Sequence, residues 1–270
     1  MNTLSVEEKV RVIAALVEGN SIRSVERMTG VHRDTTMRLL LRTGQVCAEL
    51  LDSKMRNLPC RLIQCDEIWT FVGVKEKRLN GHHNHTEMGD QYVFVAMDAE
   101  SKLIPSFVVG KRNSENAYNL MADLQSRLTK RIQLTTDGFK PYVSAVDVTF
   151  ATEIDYAMLV KIYSGDEATR ERYSPSEIAD IIPIPVMGNP RVRNISTSYI
   201  ERQNLTIRMQ LRRFTRLTNA FSKKLENLKA ALSLHFAWYN FCRIHSSLRV
   251  TPAMASGICT EVWNLDRLLA

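Results

Sequence analysis

The most informative segment of the sequence is RLIQCDEIWTFV at residues 61–72, where two adjacent acids interrupt an otherwise apolar, β-branched and aromatic run. A run of this composition predicts a β-strand. Similar runs follow at 91–97 and 103–109, after a polar connection at 75–90 and a short turn at 98–102. The three runs therefore predict an antiparallel meander of three strands.

Downstream of the meander, predicted helices alternate with predicted strands. A helix, a strand, a helix and a strand are expected at 114–130, 131–136, 141–148 and 153–161. Three strands followed by alternating helices and strands is the element order of a ribonuclease-H-like fold, an α/β (α+β) mixed sheet with flanking helices. We predict this fold over residues 60–257, with an irregular proline-bearing insertion at 163–194 and a C-terminal tail at 258–270.

Upstream of the sheet, residues 1–46 predict a small all-α domain of three short helices. Thr29-Gly30-Val31 has the length and the glycine of a helix-turn-helix corner, a motif that places its last helix in the DNA major groove. Four residues of the third helix, expected at about 33–41, are predicted to face DNA: Arg33, Thr35, Thr36 and Arg38. A three-helix unit that only packs, or that recruits a protein, is the alternative. A helical linker is predicted at 47–59.

Three acids occupy three different elements of the predicted fold. Asp66 lies in the first strand, Asp137 ends the fourth strand, and Glu201 lies near the start of the helix after the insertion. In a fold of this order the first and fourth strands are neighbours, and that helix crosses beside them. Convergent carboxylates can hold two divalent cations for phosphodiester chemistry. Because neighbouring residues of a strand point to opposite faces, only one of Asp66 and Glu67 is expected to join the cluster.

The positive charge of the chain is concentrated around Glu201. The whole chain has 36 Lys plus Arg against 29 Asp plus Glu, whereas residues 191–216 contain seven arginines and one acid. These arginines and two following lysines are predicted to bind DNA: Arg191, Arg193, Arg202, Arg208, Arg212, Arg213, Arg216, Lys223 and Lys224. Such a surface holds phosphates by counterion release, which predicts steep salt dependence. The alternative, a solvated charged face, would normally interleave acids.

Several strings resemble bacterial insertion-sequence transposases of the DDE class, nearest to the IS-one group. They are CDEIW at 65–69, TDG at 136–138, ISTSYIERQNL at 195–205, RRFTRLTNAFSKK at 212–224, and YNFCRIH at 239–245 with Thr251-Pro252. The resemblance covers about residues 60–257. It implies a retroviral-integrase-like core whose catalytic and metal-binding acids are Asp66, Asp137 and Glu201. The last two acids are 64 positions apart, about twice the spacing in many DDE enzymes, and the insertion accounts for the difference.

The resemblance also implies a chemistry and its partners. The working metal would be Mg²⁺, as two ions, with Mn²⁺ able to substitute, and the reaction would be DNA strand cleavage at transposon ends followed by strand transfer into target DNA. Double-stranded DNA would be the partner of a homo-oligomer, at least a dimer, because two ends must be paired. Many DDE enzymes carry a basic residue seven positions after the glutamate, and Arg208 holds that position here. A solvated helix arginine is the alternative for Arg208.

Two other functions stay open at this point. A nuclease of the same fold would cut without joining, and a catalytically inactive regulator would only bind DNA. An acid in all three elements argues against the regulator. Hydrophobic residues make up 44% and charged residues 24%, the balance of a soluble globular protein. Two acids among the first residues, and the lack of an apolar run of roughly 18 residues, predict no membrane partner and a cytoplasmic, nucleoid-associated protein.

Overall fold

The computed structural model describes residues 3–163 and 178–269. The main helices are α1 (Val6–Val17), α2 (Ile22–Thr29), α3 (Arg33–Lys54), α4 (Ser114–Arg127), α5 (Pro141–Phe150), α6 (Ser198–Gln210), α7 (Leu225–Phe241) and α8 (Pro252–Ala255). The strands are β1 (Leu62–Val72), β2 (Gly89–Asp98), β3 (Ser106–Gly110), β4 (Ile132–Thr136), β5 (Ile154–Tyr163) and β6 (Ile178–Met187).

The strands form one mixed sheet of order β3-β2-β1-β4-β5-β6. β1 pairs antiparallel with β2 and parallel with β4, β2 pairs antiparallel with β3, and β4 pairs parallel with β5. The chain passes from β1 to β2 and from β2 to β3 without an intervening α-helix, whereas α5 provides the crossover between the parallel neighbours β4 and β5. An antiparallel meander extended by two parallel strands is the ribonuclease-H-like arrangement, so the predicted fold class is confirmed.

The prediction of an irregular insertion at 163–194 is wrong for much of its second half. Residues Ile178–Met187 form β6, which pairs antiparallel with β5 at the edge of the sheet. Pro183 lies opposite Leu159 and Pro185 lies opposite Ala157. Proline cannot donate a ladder hydrogen bond, but an edge strand tolerates it because one side of the strand has no partner. The rest of the insertion, at 164–177, falls outside the described residues.

The third N-terminal helix is longer than predicted. α3 runs without a break from Arg33 to Lys54, so the predicted linker at 47–59 begins inside this helix. Its buried residues Thr36, Leu40, Thr43, Cys47 and Leu51 recur at three- to four-residue steps and continue past residue 41. The helix therefore has a buried face along most of its length, and it packs against α7.

The N-terminal helices share a hydrophobic core with the sheet. Ile13 of α1 and Leu40 of α3 belong to the same buried cluster as Val93 of β2 and Phe236 of α7. A smaller cluster holds α1 and α2 against the start of α3, and it consists of Val12, Ala15, Val25 and Val31. The residues of the predicted 1–46 domain are therefore docked on the body of the protein.

We expect Gly44→Ala to lower the free energy of unfolding by about 2 kcal/mol, the scale of overpacking in a dense core. A Cβ at Gly44 would lie 2.5 Å from the Cα and from the carbonyl oxygen of Ala230, because α3 and α7 touch at the level of the backbone. In a helix with free space at this position, alanine is more stabilising than glycine by about 1 kcal/mol. A loss of stability in Gly44→Ala would therefore come from the clash with α7.

Urea denaturation followed by circular dichroism measures this effect. Gly81→Ala is the matched control, because a Cβ at Gly81 meets no atom within 4 Å. A Gly44→Ala protein as stable as the wild type would contradict backbone-level contact between α3 and α7.

Candidate active site

Asp66 and Asp137 come together because β1 and β4 are parallel neighbours. Cys65 pairs with Thr136 in the register of these strands, so the residues that follow them lie side by side where β4 ends. One carboxylate oxygen from each of Asp66, Glu67 and Asp137 lies within 4.8 Å of the other two. The sheet therefore gathers three carboxylates at one point.

Glu201 enters the same cleft as Asp66 and Asp137 from the first turn of α6, but it does not belong to the group of described acids whose oxygens lie within 4.8 Å of one another. Gln64 of β1 accepts hydrogen bonds through Oε1 from the backbone N–H groups of Tyr199, at 3.0 Å, and Ile200, at 3.1 Å. Such N–H groups at a helix start lack partners within the helix, so the Gln64 side chain holds α6 over β1. The three acids predicted from the sequence, Asp66, Asp137 and Glu201, all line a single cleft of about 700 Å³.

The expectation that only one of Asp66 and Glu67 could join the cluster is wrong. Asp66 Oδ1 accepts a hydrogen bond of 2.8 Å from the backbone N–H of Glu67, so the Asp66 carboxylate turns back toward its neighbour. Alternation along a strand separates the Cβ atoms of adjacent residues, but it does not fix the ends of their side chains. Because Asp137 lies where β4 ends, the Glu67 carboxylate approaches it as well.

The sequence reasoning missed three groups that position the acids. Asn204 Nδ2 donates a hydrogen bond of 2.8 Å to Asp66 Oδ2. Asn204 follows Glu201 by three positions on α6, a helical spacing that could have indicated it. Lys161 of β5 forms an ion pair with Glu201, and the Thr197 hydroxyl donates to the same carboxylate oxygen. No local pattern in the sequence pairs Lys161 with Glu201, because β5 and α6 are distant along the chain.

Burial and mutual repulsion disfavour negative charge in the cluster. Burial, and then the charge of Asp137, raise the pKa of Asp66 to about 7. The same two causes raise the pKa of Glu67 to about 7, and burial raises the pKa of Asp137. A bound cation would relieve this repulsion, and carboxylate oxygens are the ligands that Mg²⁺ prefers. The donor set therefore fits a divalent metal ion.

The basic residues predicted to bind DNA differ in exposure. Six are exposed: Arg191, Arg193, Arg202, Arg216, Lys223 and Lys224. Arg208, Arg212 and Arg213 are partly buried. Arg213 donates a hydrogen bond of 2.9 Å to Ser222 Oγ and contacts Met37 of α3, and burial lowers its pKa to about 10. Arg213 therefore ties the basic segment to α3.

Arg208 lies away from the acids. Its guanidinium donates to the carbonyl oxygen of Phe214 at 3.5 Å, and Arg208 is not among the described residues that line the acidic cleft. Seven residues of helix advance the chain by about 10 Å, so a residue two turns after Glu201 shares its face but not its position along the axis.

Thr36 does not face outward from α3, so the prediction that it contacts DNA is wrong. Its side chain is fully buried and donates a hydrogen bond of 3.4 Å to the carbonyl oxygen of Val31. Thr36 lies one turn before Leu40 and falls on the buried stripe of the helix. Arg33 and Arg38 are exposed and Thr35 is half-buried, so these three stay available on the outer face.

The start of α3 and the basic segment line a second cleft. Gly30 ends α2 with a left-handed φ of 74°, and this corner turns the chain into α3. The second cleft has a volume of about 740 Å³, and the predicted DNA-binding residues that line it are Arg33, Arg212, Arg213 and Lys223. Cations from two regions distant in the sequence therefore face one concavity.

Within the described ranges, every helix is too short or too polar to cross a lipid bilayer.

No protein-family model and no curated protein matches this chain. One similar solved structure is a piggyBac transposase synaptic complex with hairpin DNA, with 10% identity, a TM-score of 0.44, and coverage of 99% of this chain and 71% of that one. Another is a Mos1 transposase paired-end complex with the left transposon end, with 16% identity, a TM-score of 0.24, and coverage of 58% and 60%. At such TM-scores neither likeness assigns this chain to a family or a function.

Proposed function

We propose that the protein is a DDE transposase that cleaves DNA at transposon ends and joins the freed strands to target DNA. The observation that carries this proposal is the meeting of Asp66, Asp137 and Glu201 in one cleft, although 64 positions separate the last two acids. Each acid comes from a different element, and hydrogen bonds from the backbone of Glu67 and from Asn204 orient the Asp66 carboxylate. Acids that were only structural would not need to converge on solvent-accessible space.

The proposed cofactor is Mg²⁺, as two ions, with Mn²⁺ able to substitute. Asp66 and Asp137 would hold one ion, and Glu201 with Asp66 would hold the other. Bound there, the ions would supply activation of a water or 3′-hydroxyl nucleophile and stabilisation of the leaving oxygen. Glu201 would exchange its ion pair with Lys161 for the metal, and the Thr197 hydroxyl would keep its carboxylate oriented.

The proposed partner is double-stranded DNA. Arg33, Thr35 and Arg38 on α3 would contact transposon ends, and the exposed cations of the 191–224 segment would hold the phosphate backbone. Pairing two ends requires at least two protomers, so we propose a homo-oligomer on DNA. A protein with this partner would act in the cytoplasm, associated with the nucleoid.

A strand-transfer assay tests this function. Labelled duplexes from the genomic DNA on both sides of the gene would be incubated with a supercoiled plasmid target and either Mg²⁺ or EDTA. We expect metal-dependent strand cleavage with free 3′-hydroxyl ends, followed by joined products. Cleavage without joining would favour a nuclease, and binding without cleavage would favour a regulator. Failure to bind any duplex would contradict the proposal.

A further inference from the structure

Arg112 lies in the wall of the acidic cleft, between β3 and α4. Its Nε donates a hydrogen bond of 3.1 Å to Glu67 Oε2, and its Nη2 lies 3.7 Å from Asp137 Oδ2. The guanidinium carbon lies 4.0 Å from the centroid of the Phe139 ring. Three neighbours therefore fix the position of this side chain at the candidate active site.

Glu67 has no other cationic neighbour within 4.0 Å in the described parts of the chain. Its side chain is only 3% exposed. Breaking a buried ion pair leaves an uncompensated charge, which is strongly unfavourable. Glu67 therefore holds Arg112 in place. Glu67 is not one of the residues that line the cleft, so it acts from beneath the cleft surface.

The rest of the Arg112 guanidinium is available to a ligand. One N–H group is used by Glu67, and the 3.7 Å separation from Asp137 is too long for a hydrogen bond. The side chain keeps 39% exposure. The planar fork of an arginine suits two oxygens of one phosphate group, better than the point charge of a lysine does.

The cleft needs such a group if it receives DNA. In the metal-free cleft, Asp66, Asp137 and Glu201 would repel a phosphodiester. Two lysines also line this cleft: Lys161 is paired with Glu201, and Lys140 is exposed. The partner of Arg112 is Glu67, which does not line the cleft. Arg112 can therefore keep its hydrogen bond to Glu67 and still donate others to a ligand. Donors fixed in advance near developing charge contribute strongly to catalysis.

We propose that Arg112 is a catalytic residue that donates hydrogen bonds to non-bridging oxygens of the scissile phosphate, and that Glu67 is the positioning residue that orients it. The inference rests on the proposed DNA-cleaving function and extends it by two residues that the acidic triad does not include. The competing interpretation is that Arg112 is only a counter-ion for buried Glu67.

A double-mutant cycle separates these interpretations. The variants are Arg112→Gln, Glu67→Gln and the double variant, each measured for thermal stability and for kcat and KM of duplex cleavage. We expect Arg112→Gln to lower kcat by about 100-fold, the usual effect of removing one fixed donor. It is also expected to lower stability, because Glu67 loses its partner. In the double variant stability returns, but kcat stays as low as in Arg112→Gln alone.

A double variant that regains both stability and wild-type cleavage would overturn the proposal, because Arg112 would then be only a counter-ion. The matched control is Arg61→Gln with Glu100→Gln, since that arginine–glutamate pair has contacts of 2.9 and 3.1 Å and does not line the acidic cleft. The two single variants and the double variant of this control pair should all have the kcat of the wild type. If wild type and controls fail to cleave DNA, the proposed function fails and this inference fails with it. If they cleave and the double variant equals them, only the inference fails.

Discussion

Asp137→Asn will abolish metal-dependent DNA cleavage and leave DNA binding nearly unchanged. The substitution keeps the size of the side chain but removes one charged oxygen ligand from the cluster formed with Asp66 and Glu67. Loss of metal-based charge stabilisation is worth several kcal/mol, which corresponds to roughly a 1,000-fold slower reaction. The exposed arginines and lysines predicted to bind DNA are absent from the acidic cleft, so duplex affinity should stay within about twofold.

Duplex binding and cleavage measured on the same protein preparation test this expectation. Asp147→Asn is a suitable control, because Asp147 is an exposed acid on α5 and does not line the cleft. The control should cleave DNA at the wild-type rate. Full cleavage by Asp137→Asn would show that Asp137 is not a metal ligand. Loss of duplex binding in parallel with cleavage would point to a folding defect instead.

Asp66→Asn will stabilise the metal-free protein at alkaline pH. Burial and the charge of Asp137 raise the pKa of Asp66 from 3.8 to about 7. The folded protein therefore holds this proton more tightly than the unfolded chain does. The resulting penalty on stability is absent below about pH 4, grows up to about pH 7, and is complete above it. A shift of this size corresponds to about 4 kcal/mol, as an order of magnitude.

The local hydrogen bonds can adapt to the substitution. Asn204 Nδ2 donates to Asp66 Oδ2, whereas Asn204 Oδ1 is buried without a partner in the described residues. Rotation of the Asn204 amide would let its oxygen accept from the new side-chain NH₂ group. The backbone N–H of Glu67 would keep an oxygen acceptor. The removed charge should therefore dominate the change in stability.

Thermal unfolding at two pH values, with EDTA or with MgCl₂, measures this second effect. We expect the variant to unfold several degrees above the wild type at about pH 8 in EDTA, and the difference to shrink at about pH 4. Mg²⁺ should raise the melting temperature of the wild type but not that of the variant. A melting-temperature difference that does not depend on pH would contradict the charge argument.

Local patterns account for much of the fold. The run at 61–72 and the alternation after it predict five of the strands, since apolar β-branched residues and turn residues act within a few positions of each other. The local pattern does not predict β6, because Pro183 and Pro185 normally exclude a strand. Only the place of β6 at the edge of the sheet permits these prolines. The local pattern also does not predict how far α3 extends. This helix packs against α7, which is distant along the chain.

The sequence alone indicates which residue types form the candidate site. A carboxylate in an apolar strand, or a group of arginines without nearby acids, stands out against its neighbours along the chain. The tertiary structure alone decides which of them meet. Gln64 sets α6 over β1, Arg112 reaches Glu67 from the connection between β3 and α4, and Lys161 reaches Glu201 from β5. Contacts of this kind depend on strand register and helix placement, and these are set by the packing of the whole core rather than by neighbours along the chain.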